Sequence, residues 1–339
     1  MQHAPTPLGR GTTERELPQA RGDLSAAVLD ALRTSPALAR FPGAHEAEQA
    51  DPLGDDLQLA LYACYELHYL GFTGVDPAWE WDPELLRLRA AMEENFQCAL
   101  RAGTTGHPDL DDALDALLVE PVRGTGVSRY LHDEGSLWQL REYAAQRSLY
   151  HLKEADPHAW VIPRLRGRAK AAFVAVEFDE FGGGRPERVH ARLFADLMAD
   201  LRLDTAYGRY ADAASAQMLA TVNLMSLLGL HRAHRGALVG HFAAVEITSS
   251  PASRRLAAAM RRTGAGSAAE RFYDEHVIAD AVHEQVVRRD VIGGLLEDEP
   301  SLAPEVAFGI AATEFVEDRF AEQLLGAWRQ GATSLRTQV

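Results

Sequence analysis

At 339 residues, with 47% apolar and 24% charged side chains, the chain has the composition of a globular protein long enough to bury one or two cores. Its formal charge of −15 repels a phosphate backbone, so no nucleic-acid partner is expected. The only two cysteines, Cys64 and Cys98, make no disulfide framework and fit a cytoplasmic setting. No run of about 18 apolar residues exists to span a membrane, and the polar N-terminus lacks the apolar core of a signal peptide.

Residues 1–22 are rich in Pro, Gly, Thr and Arg and are expected to form a disordered tail. From Leu24 onward, apolar residues recur at three- and four-residue steps among Ala, Leu, Glu and Arg, which predicts helices throughout. LQLALYACYELHYLGF, from Leu57, is one helix. Pro83 opens the next, with Asp82 as its N-cap and Gly103 just past its end. The breaker-rich stretch from Gly103 places a boundary near residues 105–125, closing a helical N-terminal domain over 23–125. A larger domain over 126–332 follows. Its helices are predicted near 134–155, 169–182, 187–200, 209–231, 235–248, 252–263, 268–297 and 303–328. The fold class is all-α: a bundle of about seven helices behind a small helical domain.

Four stretches of the larger domain carry metal-binding side chains. In LREYAAQRSLYHLKEADPHAW the candidates are Glu142, His151, Glu154, Asp156 and His158, with Glu154 just ahead of Pro157. In VEFDEFGGGRPERVHARLF, Glu177 and Glu180 lie one turn apart, GGGRP breaks the helix, and His190 opens the next. Glu246 sits in an apolar helix, where a carboxylate needs a partner; a buried salt bridge is the plain alternative. In FYDEHVIADAVHEQV, His276, Asp280 and His283 fall at i, i+4 and i+7 and so share one helical face. Taken singly, each of these residues reads equally well as a surface charge. Taken together, carboxylates with imidazoles on facing helices are the donor chemistry of two non-haem irons. Zinc would need only four donors and would usually recruit Cys, and haem would tolerate the acids poorly.

The stretches KEADPHAWVIPRLRGRAKAA, VEFDEFGGG and HVIADAVHEQV resemble the signature segments of the haem-oxygenase-like di-iron oxidases, the iron-containing redox enzymes. The likeness covers about residues 130–330. It implies a haem-oxygenase-like bundle whose metal ligands are Glu154, Glu180, His190, Glu246, His276, Asp280 and His283, with no further catalytic residue. The H-x-x-x-D-x-x-H spacing of His276, Asp280 and His283 is most similar to the amine N-oxygenase branch. The resemblance also implies a homodimer formed through the N-terminal domain; the alternative is that its apolar surface is covered by the chain's own bundle.

The function these readings imply is O₂-dependent N-oxygenation of a small amine or guanidine in specialised metabolism. The product would be N-hydroxy and, on repeated turnover, nitroso or nitro. The cofactor would be two Fe(II) ions, with O₂ as co-substrate. The chain shows no flavin or Fe–S motif, so an external electron donor or reductase is expected. Oxidative C–C cleavage, decarboxylation or desaturation of an amino or fatty acid is the rival chemistry. A non-catalytic helical metal-binding protein is the rival without chemistry.

Overall fold

The computed structural model describes residues 15–38, 41, 44–106, 109–119 and 126–338, apart from the side chains of Ile278, Asp280, Ala281 and Val282. The fold is all-α, with no strand among the described residues. The N-terminal third holds α1 (Asp23–Leu32), α2 (Ala44–Gln49), α3 (Asp55–Glu66), α4 (Pro83–Gly103) and α5 (Leu110–Leu117). The bundle then takes α6 (Val127–Asp133), α7 (Leu137–His151), α8 (Asp156–Ala159), α9 (Gly167–Glu180), α10 (His190–Asp200) and α11 (Ala216–Leu230). It closes with α12 (Arg235–Thr263), α13 (Ser267–Val286), α14 (Gly293–Asp298) and α15 (Ala303–Arg329).

Local chemistry sets many of these ends. The Asp82 side chain accepts from the backbone N–H groups of Glu84 and Leu85, with Pro83 at the first helical position of α4. Ser215 caps α11 by accepting from Met218 N–H, so that helix begins at Ala216, not near residue 209 as the periodicity predicted. The predicted break at 248–252 is absent. α12 runs unbroken through Pro251, held between α6, α13 and α15. The predicted helix over 268–297 is interrupted by a π-helical stretch, Val287–Ile292, which packs on α9.

Three helices are buried on nearly every face: α3, α11 and the first half of α12. A helix without a polar face must be covered all round. Accordingly α3 is covered by α1, α4 and α11, and α12 by α6, α11, α13 and α15. The buried apolar side chains form one cluster running from Leu24 to Leu335. α12 and α15 cross closely. A Cβ built on Gly240 would lie 2.0 Å from the Val306 carbonyl oxygen, and one on Gly309 would lie 1.9 Å from that of Ala237.

Residues 15–22, expected in the disordered tail, are tied to the body. Arg15 donates to the Gly71 carbonyl, and Arg21 donates to Asp55 and to the Ala211 and Ala214 carbonyls. Part of the predicted boundary at 105–125 lies outside the described residues. Among the described residues no helix is long and apolar enough to cross a membrane.

Candidate metal centre

Each candidate donor arrives by a different local device. α7 ends at His151, and Glu154 follows in the turn before α8. His151 Nδ1 lies 2.7 Å from Glu154 Oε1 and holds that carboxylate in place. α9 ends at Glu180, and Gly182, Gly183 and Gly184 then adopt φ of 74°, 61° and 76°. A Cβ on Gly182 would lie 2.6 Å from Val189 N, so both conformation and space require glycine there. The reversal starts α10 at His190 and sets His190 Nδ1 2.6 Å from Glu180 Oε2.

Glu246 projects from α12. His283 Nδ1, on α13, lies 3.0 Å from Glu246 Oε2 and 4.0 Å from Glu180 Oε1. Its Nε2 lies 3.3 Å from Asp179 Oδ2. Two turns earlier on the same face, His276 Nδ1 donates to the Phe272 carbonyl at 2.8 Å. That bond turns Nε2 toward Glu154 Oε1, 3.7 Å away. A ring nitrogen engaged with a backbone carbonyl fixes the tautomer and leaves the other nitrogen as the donor atom for a metal.

These side chains make two groups. Glu154, Glu180, His190 and His276 each offer one donor atom, all within 4.8 Å of one another, and Glu180, Glu246 and His283 do the same. Glu180 belongs to both. All six residues are buried, none more than 8% exposed. The seventh predicted ligand, the Asp280 side chain, lies outside the described residues.

The electrostatics call for a cation. Burial alone would raise the Glu154 carboxyl, but His151 and then His276 hold it well below the usual carboxylate range. Burial would lower His190, and Glu180 overrides it and raises it. Glu177, one turn before Glu180, is pushed up to about 9, first by burial and then by Glu180 and Glu246. Its carboxyl oxygens have no hydrogen-bond partner among the described residues, and neither does Glu154 Oε2. His190 Nδ1 faces Glu180 at 2.6 Å without hydrogen-bond alignment. A buried carboxylate oxygen such as Glu154 Oε2, without a hydrogen-bond partner among the described residues, would be satisfied by a metal ion. The donor set of carboxylates and imidazoles fits iron.

Other candidates do different work. Glu142 accepts from Trp328 Nε1, Ser334 N–H and the Ser334 and Thr333 hydroxyls, which pins the C-terminal segment. His158 stands behind the donors with its ring 5.2 Å from that of His241, and both are buried. Sequence reasoning missed His241 and Asp179. An imidazole within the apolar run GALVGHFAAV was the available signal for the first. Nothing local marks the second.

A model of the iron-containing redox enzymes matches residues 141–317, just over half of the chain. A comparison with curated proteins gives no match.

Proposed function

The chain belongs to the iron-containing redox enzyme family, and from that premise we propose that it is a di-iron N-oxygenase acting on a small amine or guanidine. The observation that carries this reading is Glu180, whose carboxylate is common to both donor groups. One group alone suits a single ion; a shared carboxylate is what a pair of ions requires. Glu154, Glu180, His190 and His276 would hold one iron. Glu180, Glu246 and His283 would hold the other, with Asp280 joining them. Two ferrous ions so held would supply electrons and coordination sites for reducing O₂.

The overall conversion takes R–NH₂, O₂, two electrons and two protons to R–NHOH and water. The electrons come from an external donor. The chain's own residues prepare the site. The His151 imidazole, the Phe272 carbonyl and the Asp179 carboxylate orient Glu154, His276 and His283 respectively. Phe272 packs edge-on and Phe194 tilted against the His151 ring, an apolar flank to that side of the site. Without metal, burial and the Glu180 and Glu246 carboxylates push the Glu177 carboxyl up to about 9.

The imidazole of His276 in the first donor group supports N-oxygenation over hydrogen abstraction from carbon. The reading includes a homodimer. Leu70 and Trp81, 74% and 64% exposed, are large apolar side chains that a second copy would cover.

The test is anaerobic loading with Fe(II), then O₂, reductant and a panel of amines read by mass spectrometry. About two irons per chain are expected. Glu180→Ala should lose both irons, and Glu154→Ala should keep one. An amine should gain one oxygen atom. An alkene or a chain-cleaved product would move the reading to carbon chemistry. Less than one iron per chain would leave a protein without the centre.

A further inference from the structure

A cavity of about 660 Å³ opens onto the candidate centre, and Glu154, Glu180, Glu246 and His276 line part of it. A separate part of its wall is α15, which contributes Glu314, Phe315, Glu317 and Asp318. None of these acids belongs to either donor group. α12 adds the apolar side chains of Ala244, Val245, Ala252 and Leu256 to the wall, with Thr248, Ser249 and Ser253 among them.

The charges in this wall are unequal. Among the described residues, Arg147 is the single Lys or Arg that lines the cavity. Glu317 takes it up, accepting at 2.8 Å on Oε1 and 2.5 Å on Oε2, and its guanidinium lies 4.9 Å from the Phe320 ring centroid. A two-point pair of this kind satisfies the cation and leaves it little capacity for a second carboxylate. Burial first, and then the acids Glu322 and Glu317, raise the Asp318 carboxyl. A second, independent observation lies in the same cavity. The Tyr273 hydroxyl lines it, belongs to a residue only 3% exposed, and has no hydrogen-bond partner among the described residues. His158 Nε2 is in the same condition. Buried polar atoms that face a cavity without partners mark where a polar ligand belongs.

We propose that the substrate is dicationic: a diamine or aminoalkylguanidine whose reacting nitrogen sits at the donor groups, whose alkyl chain follows the apolar wall, and whose second cationic group is anchored by Asp318. This rests on the amine reading above. It disfavours amino acids, because Arg147, the Lys or Arg described in the lining, is already engaged by Glu317 and leaves their carboxylate without a free cationic partner there.

The measurement is calorimetric titration of the iron-loaded, anaerobic protein with hexamethylenediamine, hexylamine and ε-aminocaproate. No turnover is involved. The diamine should bind about tenfold or more tightly than either of the others, the scale of one charge-assisted hydrogen bond. Asp318→Asn should abolish that preference, Asp318→Glu should restore it, and added salt should shrink it. Equal binding of diamine and monoamine, or a preference that survives Asp318→Asn, would overturn the anchor. The two ideas separate once O₂ is admitted. A diamine bound and oxidised equally well by the wild type and Asp318→Asn would overturn the anchor and leave N-oxygenation standing. A diamine that binds through Asp318 and is never oxidised would support the anchor and overturn N-oxygenation.

Discussion

At the scale of single residues, His241 shows how burial sets protonation in this protein. It is 2% exposed near the start of α12, with Nδ1 2.8 Å from Thr313 Oγ1. Burial pushes its imidazole down from 6.5 to about 4, with Glu317 opposing the shift. His158 faces it and is also held well below the usual range, first by burial and then by His241. A histidine depressed in the folded state contributes stability that is fully present above the unfolded value, near pH 6.5, and is lost as pH falls toward 4. Each unit corresponds to about 1.4 kcal/mol, so His241 alone accounts for a loss on the order of 3 kcal/mol across that window. His241→Gln keeps a polar partner for Thr313 and removes the titration. Denaturant unfolding of metal-free protein near neutral and near pH 5 should therefore show a smaller acid loss in the variant. An identical loss would place the acid sensitivity elsewhere.

At the scale of elements, the crossing of α12 and α15 matters most, because α12 carries Glu246 and α15 carries the acidic wall of the cavity. Gly240 and Gly309 let the two backbones meet, and a methyl group at either would fall within about bonding distance of a carbonyl oxygen. Gly309→Ala should force the helices apart and cost about 1–3 kcal/mol, as overpacked cores do. It should also weaken iron binding in the group containing Glu246 more than in the group containing His190. Thermal unfolding and iron stoichiometry test both parts. A variant with unchanged melting and two irons would mean that the crossing has slack for a methyl group.

At the scale of the whole molecule, the N-terminal third is joined to the candidate centre by a buried ionic network. Glu66, at the end of α3, accepts from Lys153 Nζ at 2.6 Å, Arg15 Nη2 at 2.6 Å and the Tyr207 hydroxyl at 2.8 Å. The Lys153 and Glu66 side chains are 1% and 0% exposed. Lys153 immediately precedes Glu154, so the network holds in place the turn that presents that donor. Lys153→Met should cost about 3–5 kcal/mol, the scale for removing one partner of a buried pair. Iron loading should fall from two toward one as Glu154 loses its position, while Glu246 and His283 keep theirs. Retention of both irons in a destabilised variant would make the network a fold element with no part in arranging the centre.

The residue types and helical spacing were legible in the sequence. A buried centre demands carboxylates and imidazoles whatever surrounds them, and i, i+4, i+7 on one face is a property of the α-helix alone. The helix break at Gly182–Gly184 and the opening of the next helix at His190 were also readable; the left-handed conformation of those glycines came with the structure. Local signals failed at Pro251, which marked a break that packing on α6, α13 and α15 overrides. They failed again in the supposed tail, where Arg15 reaches residues 56 positions away. Only the tertiary structure decided that Glu180 stands in both donor groups, that Lys153 finds Glu66, that two glycines meet where α12 crosses α15, and that α15 faces the cavity with acids. Each of these is a contact between segments far apart in the chain. Backbone geometry fixes spacing within a helix, but which faces meet depends on how the helices pack together.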